Sequence, residues 1–106
     1  MAFIDLSEIA ERELVPGFRV RFVHTDHVTI SHWEVAAGSV LPEHAHPHEQ
    51  ITNVISGKFE LTIDGECQVL EPGKVGVIPG NARHTGRALT DFRIIEVFYP
   101  VREDYR

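Results

Sequence analysis

The chain has 106 residues, 42% hydrophobic and 25% charged, which is the balance of one soluble globular domain. Its 10 Lys and Arg against 16 Asp and Glu give a formal net charge of -6, which argues against a basic surface of the kind that binds nucleic acid. The first residues form neither a basic leader nor an apolar run, so we expect a cytoplasmic protein with no nucleic acid or membrane partner.

The single cysteine, Cys67, has no second cysteine with which to form an internal disulfide. This is compatible with a reducing cytoplasm. We expect Cys67 to be a buried, inert thiol.

The first 17 residues are interpreted as an N-terminal arm or a short helix that begins with Ser7 as its cap. Pro16-Gly17 ends this segment in a turn. The apolar residues of the arm need a surface to cover them, which is one reason to expect a homodimer. The predicted organisation is a single domain over 1–106, with a barrel over 18–99 and a polar tail over 100–106.

The rest of the chain alternates short β-rich runs with turn residues. Asp64-Gly65 is the strongest hairpin signal, since this dipeptide favours a two-residue turn. About eight strands at regular spacing predict an all-β sandwich or small barrel. They are two strands within 18–36, followed by 51–55, 58–63, 66–70, 74–78, 84–89 and 92–99.

A cluster of metal donors lies in the centre of the sequence. In an extended strand the side chains alternate between faces, so His44, His46, His48 and Gln50 would share one face. Pro47 favours a bend that can separate His48 from the pair before it. His44 and His46 are therefore the first candidate ligands, and His48 is expected beside the site or exposed.

Three further histidines, His24, His27 and His32, lie in ordinary alternating strand patterns and are interpreted as structural. His32 is the one best placed to face a cavity, because it adjoins Trp33.

The last strand places Glu96 and Phe98 on one face. An inward Glu96 among apolar neighbours would have its ionised form disfavoured and could shuttle protons; the alternative is that it faces solvent. Arg102 follows Pro100 and could fold over the barrel mouth to hold a substrate carboxylate by two parallel hydrogen bonds. The alternative is a surface ion pair with Glu103 or Asp104.

The spacing of glycines and histidines resembles the two motifs of the cupin superfamily. The residues matching the first motif are Gly38, His44, His46, Gln50 and Gly57, with Gln50 standing where the motif has an acid. The residues matching the second are Gly73, Pro79 and His84, with Asn81 in place of a glycine and Ala88 in place of an asparagine.

The resemblance implies a jelly-roll barrel with one divalent transition metal ion held by His44, His46, Gln50 and His84. Zinc, nickel, manganese, iron and copper all suit three imidazoles and an amide. A neutral Gln50 cancels none of the charge of the ion, which favours Lewis-acid chemistry over iron-based oxygen activation. Glu49 is the alternative fourth ligand if the loop twists.

The tail from Phe98 to Tyr105 resembles the ending of small single-domain cupins from pectin and alginate breakdown, which convert 4,5-unsaturated monouronates to the linear keto form. The resemblance implies that Glu96 and Arg102 are catalytic and that Phe98 and Arg102 bind the anionic sugar. The acid of that family is aspartate where this chain has Glu96. The family also implies homodimers.

Two other functions stay open at this point. A metal-dependent cupin dioxygenase would be favoured if Glu49 were a ligand. A non-catalytic, ligand-binding or sensory cupin would hold a metal with no acid at proton-transfer distance.

Overall fold

A computed structural model describes residues 2–106, so residue 1 of the predicted domain lies outside the described residues. The structure is 55% strand and 6% helix in two antiparallel sheets, which confirms the all-β jelly-roll prediction. The ten strands are β1 Arg12–Val15, β2 Phe18–His24, β3 Thr29–Val35, β4 Val40–His44, β5 Glu49–Ser56, β6 Phe59–Ile63, β7 Glu66–Leu70, β8 Val75–Ile78, β9 His84–Ala88 and β10 Phe92–Tyr99.

The strands divide unequally between the two sheets. The larger sheet has the order β1-β2-β3-β10-β5-β8, and the smaller has the order β4-β9-β6-β7. The C-terminal strand β10 is central in the larger sheet, paired with β3 on one side and β5 on the other. This position brings Glu96 and Phe98 beside the strand that carries Gln50.

The predicted Asp64-Gly65 turn joins β6 to β7. Both residues have positive φ, 46° and 84°, which suits a tight two-residue hairpin. Ile63 and Glu66 face each other across the pair, so the turn fixes the register of the whole β6–β7 hairpin.

Strand alternation builds the core between the sheets. In β3 and β10 every second residue is buried, and the inward side chains include Trp33, Phe92 and Ile94. Phe59 of the smaller sheet stacks on Phe92 of the larger one with ring centroids 4.6 Å apart. This pair joins the two sheets at the end opposite the histidines.

The structure differs from the sequence-based expectation in several local features. Strand β1 lies within the segment interpreted as an arm, and β4 precedes the histidine loop where no strand was predicted. The short helix is a 3-10 turn, Leu6–Glu8, whose cap is Asp5 rather than Ser7. The Asp5 side chain accepts a hydrogen bond from the Ser7 backbone N–H.

Cys67 is exposed, so the prediction of a buried thiol is wrong. It lies on β7, an edge strand that packs against β6 alone, and four of the five β7 residues are exposed. The alternation of side chains along β7 therefore does not bury Cys67.

The C-terminal tail is fastened to the barrel rather than free. A second 3-10 turn, Glu103–Tyr105, follows Arg102. The backbone N–H of Arg102 donates to Thr29 Oγ1 at 2.9 Å, and Arg106 donates to the Thr25 carbonyl at 3.0 Å. Among residues 2–106 no helix is both long and apolar enough to cross a bilayer.

Candidate metal centre and acid pocket

Three imidazoles converge at one end of the sandwich. His44 ends β4 and His84 begins β9, and the two residues are register partners. His46 arrives from the loop between β4 and β5. One ring nitrogen from each of the three lies within 4.8 Å of the others. The histidines named first from the sequence are thus brought together with His84, 38 residues further along from His46.

The hydrogen bonds of these rings define their tautomer. Each Nδ1 lies 2.9 to 3.0 Å from a backbone carbonyl oxygen, which can only accept, so each Nδ1 carries the proton. Every Nε2 is then unprotonated, with a lone pair available to a metal ion. Such an Nδ1 contact is the usual support for a metal-ligating imidazole. The three carbonyls belong to Pro42, His48 and Ala82.

Burial keeps the inner imidazoles neutral. Desolvation, with smaller contributions from the Arg102 and His84 charges, lowers the pKa of His46 to about 4. Desolvation also lowers the pKa of His84. Among the described residues His84 Nε2 finds no hydrogen-bond partner although it is buried. A buried polar atom without a partner is costly, and a bound cation would satisfy it.

Gln50 is turned into the site and Glu49 away from it. Gln50 is buried, whereas Glu49 is exposed at the start of β5. The Gln50 amide oxygen lies 3.0 Å from His46 Nε2, so two acceptor atoms face each other. A shared cation fits this arrangement, since two ligand atoms about 2 Å from an ion would come this close.

Glu96 faces the interior, which removes the solvent-facing alternative. It is buried, and its Oε2 accepts hydrogen bonds from Gln50 Nε2 and from Thr52 Oγ1. Burial raises the pKa of Glu96, while the hydrogen bonds from Thr52 and Gln50 act in the opposite direction. A buried acid therefore contacts the Gln50 amide, and the oxygen of that amide contacts the histidine cluster.

Thr52 is a site residue that the sequence reasoning missed. Its hydroxyl donates to Glu96 at 2.5 Å and accepts from Gln50 Nε2 at 3.3 Å. The signal was available, because Thr52 is two residues after Gln50 on the same strand and must share its face.

Arg102 is buried near this acid and packs against two aromatic rings. Its Cζ lies 4.0 Å from the centroid of Tyr105 and 4.8 Å from that of Phe98. The expected alternative of an ion pair is also present, because Arg102 donates two hydrogen bonds to Asp104. The pair is not a simple surface contact, since only the Asp104 partner is exposed.

These groups surround a small interior cavity of about 50 Å³. Its walls include His44, Gln50, His84, Glu96, Phe98 and Arg102. A larger groove of about 490 Å³ lies between β7 and β8, but it is lined by no histidine and shares none of the predicted site residues. The chemistry points to the smaller space.

The remaining histidines lie outside the cluster. His48 supports His46 through its backbone carbonyl. His24 bonds to Thr29 Oγ1 at 2.8 Å, and His27 is exposed in the β2–β3 turn. His32 alternates with the inward Trp33, so it lies on the outer face of the larger sheet. There it lines a separate groove of about 310 Å³ with Leu6 and Arg21, and not the interior cavity.

Comparison with known proteins agrees with this architecture. The family model described as a cupin domain matches residues 31–98. The chain belongs to the cupin family. The region matched contains all three clustered histidines, Gln50, Glu96 and Phe98.

Two relatives match this cupin over nearly its whole length. The pectin degradation protein KdgF of Dickeya dadantii is 30% identical over 106 residues, covering 97% of this chain and 96% of its own. The structure of KdgF from a Halomonas species superposes with a TM-score of 0.91 and 30% identity, covering 99% of this chain and all of that one.

A third relative matches about half of the chain. L-ectoine synthase of Thermobifida fusca is 40% identical over 55 residues, which are 50% of this chain. The cupin spans 41% of the length of that synthase.

Proposed function

We propose that this cupin is a metal-dependent enzyme that converts 4,5-unsaturated monouronates to the linear keto form. The observation that carries the proposal is the cluster of three imidazoles beside a buried acid and a buried arginine, with two of the imidazoles, the acid and the arginine lining one interior cavity. The likeness to KdgF over both full lengths supports a sugar of pectin breakdown as the substrate class.

In this proposal His44, His46, His84 and Gln50 hold one divalent transition metal ion. The donor set fits, because the three Nε2 atoms and the Gln50 amide oxygen are unprotonated acceptors turned toward one another. When bound, the ion supplies Lewis acidity toward sugar oxygen atoms, undiminished by any anionic ligand from the protein.

Arg102 and Phe98 bind and orient the sugar. The Arg102 guanidinium matches the substrate carboxylate, because its parallel N–H groups fit two carboxylate oxygens. Phe98 lies between that arginine and the histidines, 5.7 Å from the His46 ring, and offers an apolar face to the sugar. Together they hold the ring against the acid.

Glu96 moves the proton that the reaction requires. The C1–O5 bond breaks and the C1 hydroxyl becomes an aldehyde, while the C4=C5 double bond becomes a C5 ketone as C4 gains a proton. The proton lost from the C1 hydroxyl balances the one gained at C4, so the reaction is an isomerisation with no co-reactant. A buried carboxyl is suited to hold this proton in between.

The test is the decay of ultraviolet absorbance of the unsaturated monomers of galacturonate and mannuronate. We expect accelerated decay with protein containing one metal ion per chain, loss of the acceleration on chelation, and recovery when the metal is restored. Bound metal without any acceleration would overturn the proposal and leave a ligand-binding cupin in its place.

A dioxygenase is the second enzymatic possibility, and the site gives it less support. Its favoured donor set would include Glu49, which is exposed and points away from the cluster. Oxygen consumption by the iron-loaded protein in the presence of small carbonyl compounds would favour this alternative.

We also propose a homodimer that covers the outer face of the larger sheet. A row of aliphatic side chains crosses five strands at one level of that face. Ile51 and Val77 in this row are 39% and 59% exposed. Analytical ultracentrifugation should show that the wild-type protein is a dimer and that Ile51→Lys is a monomer. A monomeric wild-type protein would contradict the proposed dimer. The row consists of Val23, Ile30, Val97, Ile51 and Val77.

A further inference from the structure

The Arg102 guanidinium is paired with a carboxylate along one of its edges only. Nε donates to Asp104 Oδ1 at 3.0 Å and Nη2 donates to Asp104 Oδ2 at 2.8 Å. These two groups form the side edge of the planar guanidinium. Among the described residues no carboxylate accepts a hydrogen bond from Nη1, although the Tyr105 side chain interacts with the guanidinium, so the outer edge, made by Nη1 and the second hydrogen of Nη2, has no anionic partner.

The plane of the guanidinium is fixed as well as its edge. Tyr105 and Phe98 both pack on it, at 4.0 and 4.8 Å from their ring centroids to Cζ. Tyr105 is in turn stacked on Phe22 with ring centroids 4.7 Å apart. The side chain of Arg102 therefore has little freedom left.

The C-terminal tail holds the Asp104 carboxylate in position to accept hydrogen bonds from Arg102. The tail that carries it is fastened by the Arg102 backbone bond to Thr29, by the Arg106 bond to Thr25, and by a hydrogen bond from Arg12 to the Tyr105 carbonyl. The hydrogen bonds from Arg102 also lower the pKa of Asp104, so the carboxylate stays ionised.

Asp104 is also on the solvent side of the pair. The Arg102 side chain is 6% exposed, whereas that of Asp104 is 56% exposed. Arg102 lines the interior cavity together with Gln50 and Glu96, and Asp104 does not. An anionic ligand in the cavity would thus meet the arginine on the side that Asp104 leaves open.

We propose that Asp104 is a positioning residue, which fixes Arg102 by its side edge so that the outer edge is ready to receive the carboxylate of the substrate. The inference rests on the proposed uronate function and deepens it. A flexible arginine loses side-chain conformational entropy when it binds a ligand. Because Asp104 already fixes Arg102 in the free protein, less of this entropy is lost on binding.

The test compares Asp104→Asn with Glu103→Gln in the metal-loaded protein. The two substitutions remove the same charge from adjacent residues, but the Glu103 side chain pairs with Arg106 at the surface, whereas the Arg102 side chain pairs with Asp104. For Asp104→Asn we expect KM to rise about five- to tenfold with kcat within about twofold, since one immobilised side chain is worth up to about a factor of ten. Glu103→Gln should change neither constant by more than about twofold.

A binding measurement separates this inference from the proposed reaction. Calorimetry with galacturonate, which lacks the reactive double bond, should show the same loss of affinity in Asp104→Asn. Asp104→Glu, which keeps both carboxylate oxygens, should recover part of it. Galactose, which has no carboxylate, should bind all variants equally.

Each outcome has a distinct meaning. Equal KM and equal galacturonate affinity in Asp104→Asn and Glu103→Gln would overturn the positioning role while leaving the enzyme intact. A lower KM in Asp104→Asn would show that Asp104 competes with the substrate, which also overturns it. Galacturonate binding that depends on Asp104 without any uronate turnover would support the positioning role and remove the proposed reaction.

Discussion

The Gln50 amide joins the histidine cluster to the buried acid: its nitrogen donates to Glu96 Oε2, and its oxygen lies 3.0 Å from His46 Nε2. The amide cannot be reversed without setting its oxygen against the Glu96 carboxylate. Glu96 thus decides which atom of Gln50 faces the histidines. One side chain serves as a neutral candidate ligand and as a hydrogen-bond donor to the acid.

Replacing this amide by a carboxylate should damage the acid more than the metal site. Gln50→Glu removes the N–H donor and places two carboxyl groups in contact, which must share one proton at neutral pH. We expect metal content to be kept and uronate turnover to fall about 10- to 100-fold. Metal analysis and rate measurement on the same preparation check this. The exposed Gln68→Glu is the charge-matched control, and unchanged turnover in Gln50→Glu would refute the link.

Removing a central imidazole should abolish tight metal binding. His84→Ala deletes a buried candidate ligand that two other imidazoles face, with ring centroids at 4.2 and 5.0 Å. We expect the affinity for a divalent ion to drop at least about 100-fold. Elemental analysis after dialysis measures it. His32→Ala, on the outer face, should retain the wild-type metal content; equal content in both variants would mean that the ion is held elsewhere.

Replacing the Glu96 carboxyl group by an amide should slow the reaction without releasing the metal ion. Glu96→Gln keeps the shape of the side chain and an acceptor for Thr52, but it cannot transfer a proton. We expect a decrease in kcat of about 100-fold or more, with KM and metal content close to wild type. Full turnover in this variant would remove Glu96 from the mechanism.

The hydroxyl of Thr52 should matter through the position of Glu96. Thr52→Val has nearly the same shape but leaves the buried carboxyl with one donor fewer, at a cost of about 1–3 kcal/mol in stability. We expect kcat to fall while KM stays near its original value. Thr52→Ser restores the hydroxyl and should recover most of kcat. If valine and serine behaved alike, the methyl group would be the important part of the side chain.

The metal-free protein should lose stability as the pH falls from about 6.5 toward 4. His46 has its pKa lowered to about 4 in the fold, while in the unfolded chain an imidazole titrates near 6.5. Between these values the unfolded chain binds more protons than the folded one, so the free energy of unfolding decreases as the pH falls. Urea unfolding at several pH values measures this, and His46→Asn should flatten the dependence. An equal slope in the variant would assign the loss to other groups.

The sequence was sufficient where a local rule decides the structure. The Asp64-Gly65 turn and β10 depend on turn chemistry and alternation, and both are found as predicted. Alternation along β10 likewise predicted that Glu96 and Phe98 share a face. The same rule applied to β5 would have found Thr52.

Other features depend on contacts that no local pattern records. His44 and His46 do not share a strand face, because β4 ends at His44 and a loop carries His46 to the site. The short β1 is held mainly by its pairing with β2, through which Arg12 faces Val20. The two bonds between Arg102 and Asp104 require the tail to turn back, which follows from its fastening to Thr29 and Thr25.

The candidate ligands come from both halves of the sandwich, so a bound metal ion would make the lifetime of the folded protein depend on the metal supply. His44 and His84 belong to the smaller sheet and Gln50 to the larger, so one ion would cross-link them. Strand β4 is an edge strand that pairs with β9 alone, and His44 is its last residue. Binding to the folded state alone shifts the unfolding equilibrium in its favour. Without the ion, β4 would lose this link to the larger sheet, and local opening of the strand would expose it to proteases.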